Sequence, residues 1–466
     1  MLKIFNSYTG KQENFIVHQD NMIKMYVCGM TVYDFCHIGH GRTVIFFDIV
    51  ARYLRYLGYK LKYVRNITDI DDKIIKKSLV NKESCFSLSN RMIINMHRDF
   101  SLLNVLSPDR EPRVTECISD IIKKISILLA KKYAYVAYNG DIVFSVDSYS
   151  DYGMLSKQVL HQLKHFVRIS SNKNVKQNPL DFVLWKAQKK SDFITWESPW
   201  GAGRPGWHIE CSSMSILEFQ DRIDIHGGGI DLLFPHHENE LAQSVCINKN
   251  FFTRYWMHTG LVIINDKKMS KSLGNTILLK DLLFSFDSES IRYFLLSTHY
   301  RHPLNFCYQG LYRSRELLKK LYLSLRDTDS NAITNLVMNR DYKIDFLNAL
   351  NNDFNTPVAL SILVELSKKI NKYKLIDKTK ANFLAFILVE LGNILGLLFQ
   401  HPDSFLKNTF IGNIDILKVI NSLIDRRTNA RNRQDWQQSD KIRKELLEMG
   451  IILEDTYLGT IWRSLK

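Results

Sequence analysis

No stretch of this sequence is apolar for long enough to cross a membrane. A span needs about 20 apolar residues in a row, and the nearest run, Ala385 to Phe399, is broken by Glu390, Gly392 and Asn393. It reads as a core helix. No apolar secretory leader is visible. The first 20 residues hold no arginine, unlike a transit peptide. Cysteine is scarce and unpatterned. Seven residues at irregular spacings, with no C-x-x-C among them, do not make a disulfide framework. Short-period repeats and low-complexity tracts are absent. These absences exclude the membrane, secreted and fibrous classes and leave a cytoplasmic, reduced, globular protein.

What is present is length and positive charge. At 466 residues the chain can bury a sizeable core without disulfides, and roughly 100–200 residues per domain predicts three or four domains. Lys+Arg is 63 and Asp+Glu is 48, so the formal charge is 63 − 48 = +15. That excess suits a polyanionic partner such as nucleic acid. A basic enzyme without one is the plainer alternative. Lys24 to Cys28 reads as a strand ending at Gly29. Gly41 to Gly58 has helical spacing, with Val44, Phe47, Val50, Leu54 and Leu57 apolar and Gly58 as C-cap. Leu61 to Val64 reads as a second strand. Strand, glycine turn, helix and strand make a βαβ unit, the start of a doubly wound nucleotide-binding fold.

Five constellations carry chemistry. His37-Ile38-Gly39-His40 sits between the first strand and its helix, where backbone N–H groups favour phosphate. Two surface histidines are the bland alternative. Lys268-Met269-Ser270-Lys271-Ser272 places two lysines on a loop that can neutralise charge on a transferring phosphoryl group, or be merely solvated. Gly227-Gly228-Gly229-Ile230-Asp231 lets a nucleotide approach closely, or is a simple turn. From Asp425 to Leu446 there are seven Lys/Arg and four Asp/Glu around Trp436. Basic residues with one aromatic suit an unpaired RNA base, and a solvated helix has the same composition. His236 and Glu240, four apart, share one helix face, and Cys28 and Cys211 add two thiols. Such a donor set suits zinc, although two buried cysteines and an exposed glutamate would look the same.

The histidine and lysine motifs, in this order and about 230 residues apart, resemble the two signatures of class I aminoacyl-tRNA synthetases. Met25-Tyr26-Val27-Cys28-Gly29, Asn66 through Lys73, Gly206 through Ser212 and Phe234 through Glu240 resemble the cysteinyl-tRNA synthetase family in particular, and the likeness runs to Trp462-Arg463. The resemblance implies an α/β fold: a Rossmann-type catalytic domain with an insert, a helical bundle and a small C-terminal anticodon-binding domain. Its expected bounds are 1–115 and 206–260 for the catalytic halves and 116–205 for the insert. They continue with 261–305 for a connecting domain with the lysine loop, 306–405 for the bundle and 406–466 for the anticodon domain. It implies that His37, His40, Lys268 and Lys271 serve catalysis, and that Gly39, Gly229, Asp231 and Lys271 bind ATP. It further implies that Gly29, Thr68 and Trp207 contact the amino acid, and that Cys28, Cys211, His236 and Glu240 hold one Zn2+. Arg427, Arg431, Trp436 and Asp440 would contact RNA. Gln434 stands where the family usually has lysine. His237 and Glu238 are left to orient ligands or substrate. The implied activity joins L-cysteine to tRNA(Cys) through an adenylate, with ATP and Mg2+, in a monomer without an editing site. The near alternative is a related ligase joining cysteine to an amino sugar. Methionyl-tRNA synthetase fits less well, because its paired C-x-x-C knuckles are missing.

Overall fold

The structure, a computed structural model, describes residues 1–18, 21–158, 176–189, 193–249, 252–269, 274–330, 341–407, 414–456 and 459–464. They fall into two compact units. The first is Met1–Ser288 with Phe294–Cys307 and Leu347–Val358; the second is Glu289–Tyr293, Tyr308–Phe346 and Ala359–Lys466. Among the described residues no helix is long and apolar enough to cross a membrane.

The first unit is built on a four-stranded parallel sheet. Its spatial order is Phe252–Thr259, Arg222–Gly229, Met22–Val27, Lys60–Arg65. The two central strands are largely buried, the polar Arg222, Asp224 and His226 included, because both faces of the sheet are covered. The predicted βαβ unit is there: helix Ile38–Tyr56 links the strands Met22–Val27 and Lys60–Arg65. Gly58 follows its C-cap at φ +84°, a left-handed conformation suited to glycine. The first strand lies in the middle of the sheet, so the chain reverses direction of travel between Met22–Val27 and Arg222–Gly229. In open parallel sheets ligands bind at such a switch point, beyond the strands' carboxyl ends. Cys28 lies there, its N–H bonded to Gly227 O at 2.9 Å.

Between the second and third of these strands, in chain order, the insert folds as a four-stranded antiparallel sheet. Its strands are Ala134–Val136, Ile142–Phe144, Phe182–Ala187 and Gly203–Pro205, preceded by helix Ile118–Ala130. Ile121, Ile125, Phe144, Trp185 and Met214 share one core with Tyr26, Val64 and Ile223. The insert is therefore fused to the parallel sheet by common apolar packing, which keeps helix Trp207–Phe219 in register with both.

The second unit is mostly helical. Tyr308–Leu325, Thr356–Lys374, Lys378–Ile394 and Ile414–Asn432 are long helices of it, Lys378–Ile394 burying Leu384, Ala385, Leu388 and Leu391. The apolar pattern predicts helix as far as Phe399. The structure stops it at Ile394, because Gly396 and Leu398 both take positive φ. The carboxylate of Glu289, fully buried, accepts from Tyr322 Oη at 2.6 Å, Leu398 N at 2.6 Å and Gln400 Nε2 at 2.9 Å, which locks that turn. His401-Pro402-Asp403 reads as a break, and Pro402 in fact opens helix Pro402–Lys407, where its missing N–H is no loss. Helices Ile414–Asn432 and Trp436–Glu448 then pack on the hairpin Ile451–Thr456/Gly459–Ser464, around Ile420, Leu423, Ile442, Leu446 and Trp462.

Candidate active site

Four backbone segments converge at the carboxyl edge of the parallel sheet. Cys28 follows the first strand. Thr68 follows the second, His226 ends the third before its glycines, and His258 lies near the end of the fourth. Gly29 is forced: a Cβ there would stand 1.6 Å from Asn66 O. Its N–H donates to Asn66 Oδ1 at 2.8 Å.

Cys28, Cys211, His236 and Glu240 are all buried, and their donor atoms lie within 4.8 Å of one another. Cys28 Sγ is 3.1 Å from Glu240 Oε1, and His236 Nε2 is 2.8 Å from the same oxygen. Cys211 comes from the first turns of helix Trp207–Phe219, and Glu240 from helix Glu238–Ile247. His236 lies in the π-turn Leu233–His237 that precedes that second helix, so the four-residue spacing still places it over Glu240. Burial pushes the Cys28 thiol well up, and the neighbouring Cys211 and Glu240 push it further. Burial also works against an ionised Glu240, but the imidazoles of His236 and His226 outweigh it and hold that carboxyl well below its usual range. Burial works against charge on His236 too; Glu240 and Cys211 prevail and raise it to about 10. Two thiols, an imidazole and a carboxylate packed this tightly compete for too little positive charge. A divalent ion with an affinity for sulfur and nitrogen would supply it, and the chemistry of the donor set fits zinc.

The sequence reasoning missed three residues of this site. His226 stacks on Trp256 with ring centroids 4.3 Å apart, and its Nε2 is 3.3 Å from Glu240 Oε2. With Cys28, His237 and Glu240 it makes a second, overlapping group of possible ligands. His258 Nε2 lies 2.8 Å from His237 Nδ1, and its own Nδ1 2.8 Å from Ser7 Oγ. Burial holds both His237 and His258 below the usual range, His258 at about 3, so both rings are neutral. Glu210 is buried and accepts from Thr68 Oγ1 at 3.1 Å. His237 is tied to His258 rather than to the first ligand set. Glu238 does something else: its carboxylate accepts from Gly153 N at 2.8 Å and Ser156 N at 2.7 Å, pinning a loop of the insert. Trp207 is partly exposed, its ring 4.3 Å from that of His236. It walls the cluster on the solvent side.

The nucleotide motifs meet one another. His37 caps helix Ile38–Tyr56: its ring accepts from His40 N while the His40 ring accepts from His37 N, and the two rings stack at 3.5 Å. A Cβ on Gly39 would come 3.4 Å from Met269 Cε, so the lysine loop starts against the histidine motif. Beyond the loop, Ile38 N donates to Ile277 O at 3.0 Å and Leu279 N to Cys36 O at 2.8 Å. Lys268 is exposed on the short strand Lys267–Lys268, paired with Ile263. Lys271 lies outside the described residues. Arg42, one turn into the helix and buried, donates to Leu261 O at 3.0 Å, to His302 O, and at longer range to His299 O and Tyr300 O. It ties the helix to the base of the strand Val262–Ile264, which pairs with the one bearing Lys268. Gly229 and the exposed Asp231 stand at the end of the third strand.

In the second unit, the RNA candidates divide. Trp436 is 59% exposed, in the first turn of its helix behind the Asp435 cap, and Asp440 is exposed on the same helix. Arg427 is only 4% exposed and forms a two-pronged ion pair with Asp455, both contacts at 2.8 Å, so its side chain is used inside the domain. Arg431 reaches the same carboxylate at 2.7 Å but keeps an exposed flank. Gln434 takes φ +60° in the turn between the helices.

Comparison with known proteins agrees with this geometry. Residues 14–316 match the tRNA synthetases class I (C) catalytic domain, residues 345–400 the DALR domain, and residues 415–463 the cysteinyl-tRNA ligase anticodon binding domain. The chain is 65% identical over its whole length to the full-length cysteine–tRNA ligase of Buchnera aphidicola subsp. Baizongia pistaciae. It is 50% identical, again with both chains fully covered, to that of Histophilus somni strain 2336. Among solved structures, the Mycobacterium tuberculosis methionyl-tRNA synthetase in complex with methionyl-adenylate shares the fold. Its TM-score is 0.57 at 15% identity, over 85% of this chain and 96% of that one. With the catalytic and anticodon-binding profiles both matched and curated relatives aligned end to end, the chain belongs to the cysteine–tRNA ligase family of class I tRNA synthetases.

Proposed function

We propose that this protein joins L-cysteine to tRNA(Cys) in two steps. Cysteine and ATP, the latter with Mg2+, give cysteinyl-adenylate and pyrophosphate. A ribose hydroxyl at the RNA's 3′ end then takes the cysteinyl group. The observation that carries the reading is the buried Cys28–Cys211–His236–Glu240 set at the switch point of the parallel sheet, next to the paired histidine motif. Zinc held by these four residues would supply a thiol-selective ligand position, where an alcohol such as serine binds poorly.

The chain's own groups do the rest. Gly29 and Thr68 line the approach to the amino acid, and Trp207 closes it from solvent. The N-terminus of helix Ile38–Tyr56, with His37 and His40, takes phosphate oxygens. Gly39 and Gly229 leave room for the nucleotide, and Asp231 accepts from its ribose. Lys268 and Lys271 offset charge as pyrophosphate leaves. Catalysis is positioning and charge stabilisation, with no side-chain nucleophile. In the C-terminal domain Trp436 stacks on an unpaired base while Arg431 and Asp440 fix the RNA around it. Arg427 supports them by holding the Asp455 hairpin. All seven cysteines are free thiols, which suits a reducing compartment, and we read the protein as a cytoplasmic monomer.

Cysteine-dependent ATP–pyrophosphate exchange, followed by charging of purified tRNA(Cys), tests the reading. Exchange with transfer to an amino sugar and none to tRNA would favour the related sugar ligase. The anticodon-type domain at 415–463 argues for RNA.

A further inference from the structure

Lys186 and Arg204 sit directly opposite one another on the antiparallel strands Phe182–Ala187 and Gly203–Pro205. Like charges so placed repel and weaken a ladder unless an anion lies between them. Here the anion is Asp72, which comes from outside the insert. It is the first residue of helix Asp72–Asn81, and its two carboxylate oxygens meet the Lys186 ammonium and the Arg204 guanidinium. The two cations are largely covered, with side chains 31% and 12% exposed, whereas the Asp72 side chain is 56% exposed. Arg204 Nε is buried with no hydrogen bond, so the guanidinium keeps unused donor capacity. The carboxylate is thus the movable member, and the cations are the fixed ones.

The position matters. The Lys186 charge acts on His208, whose ring lies 3.1 Å from that of His236, and Asp71, next to Asp72, acts on Glu210, which holds Thr68, so the trio lies beside the amino-acid site. Helix Asp72–Asn81 starts here, its N-terminus capped by Asp71, whose carboxylate accepts from Lys73 N at 2.8 Å. The RNA's 3′ end has to reach that rim if the proposed transfer reaction is right, and on that reading this inference rests. We propose that Lys186 and Arg204 form the seat for a phosphodiester of the RNA's 3′ strand, and that the Asp72 carboxylate fills the seat until the strand arrives. An exposed ion pair is held weakly, so a phosphate that brings its own contacts displaces it. Cation–phosphate bonds are short and strong, and arginine matches the phosphate fork.

The test uses the full-length protein and a tRNA(Cys) transcript. K186A/R204A raises the KM for tRNA about tenfold, the size of a lost charge-assisted bond. It lowers the slope of log affinity against log salt by about 0.7, one single-strand phosphate. Pyrophosphate exchange stays intact, which also shows that the variant folds. D72N lowers the KM for tRNA about two- to fivefold, and K186R/R204K behaves like the parent. Three results overturn the inference. D72N could weaken tRNA binding, which would make the carboxylate a brace. The double variant could leave tRNA affinity and salt slope unmoved. It could instead raise the KM for ATP in exchange, which would put the triphosphate there. Failure of the parent protein to exchange pyrophosphate with cysteine would count against the enzyme reading itself, a different outcome.

Discussion

Replacing Arg42 with methionine isolates the link between the two nucleotide motifs. The guanidinium is 3% exposed and donates to four backbone carbonyls, two of them at close range, Leu261 O and His302 O. Methionine fills much of the same volume but leaves His302 O without a donor, while Leu261 O keeps its bond from Leu304 N at 2.9 Å. Orphaning a buried carbonyl costs about 1–3 kcal/mol and losing the second bond to Leu261 about 0.5–1.5 kcal/mol, so together about 1.5–4.5 kcal/mol. Against this stands the burial of the charge. Burial pulls the Arg42 guanidinium down to about 10, which corresponds to about 3 kcal/mol that methionine does not incur. The two terms nearly offset one another, so the net change in stability is expected to lie within about 1.5 kcal/mol of zero and the variant folds. Catalysis has no such offset. With the Arg42 bonds to the Leu261 and His302 carbonyls gone, the strand Val262–Ile264 and its partner Lys267–Lys268 lose their tie to the histidine helix. A misplacement of about 1 Å costs about 10²-fold in rate. Pyrophosphate exchange should therefore fall about 100-fold, with the KM for cysteine changed little, because the thiol site lies at the other side of the sheet edge. Thermal unfolding measured beside the kinetics separates the effects. An Arg42→Met protein that folds but exchanges pyrophosphate at the parent rate would refute the argument and leave Arg42 as packing alone.

Other outcomes follow from the same geometry. Lys271→Ala should slow adenylate formation by about 2–4 kcal/mol without weakening cysteine binding, read by single-turnover exchange. Trp436→Ala should weaken tRNA binding by about 1–3 kcal/mol, the value of one stacked base, and leave exchange unaltered. Cys211→Ser should lose bound metal and cysteine activation together, with metal content measured by mass spectrometry; retained activation without metal would contradict the assignment. Asp99 is 5% exposed, and burial raises its carboxyl to about 6. Its folded value lies above the unfolded one near 4, so the folded state binds the proton more tightly and stability drops as pH rises from about 4 to about 6. Asp99→Asn should raise the melting temperature at pH 8, by the equivalent of about 1 kcal/mol, and the gain should vanish at pH 4.

The parts of this protein that were legible in the sequence are those written locally. The first strand, its glycine turn and the helix to Gly58 follow from apolar spacing over some thirty residues. The histidine motif shows itself because a helix N-terminus is a local feature. The metal ligands are a different case. Cys28 and Glu240 are 212 positions apart, and only the family likeness singled them out. His226 stayed hidden because it continues the polar positions Arg222 and Asp224 that alternate with Ile223 and Ile225, and His258 because the residues around it show no motif; nothing local marks either ring as facing the site. Their partners come from neighbouring strands and from Ser7. Arg427 shows the opposite case. In a basic run it reads as a phosphate contact, but Asp455 returns on the hairpin 28 residues later and takes it. Asp72, Lys186 and Arg204 were invisible for the same reason, since a cross-strand pair and a helix terminus have to be brought together before their charges mean anything.

The central claim is that the buried cysteine–histidine–glutamate cluster reads the substrate's sulfur. X-ray absorption at the zinc edge tests it on the zinc-loaded protein with and without saturating L-cysteine, and with L-serine as control. The account predicts two sulfur scatterers before cysteine, from Cys28 and Cys211, three after it, and no change with serine. A zinc shell that stays the same under saturating cysteine would contradict it.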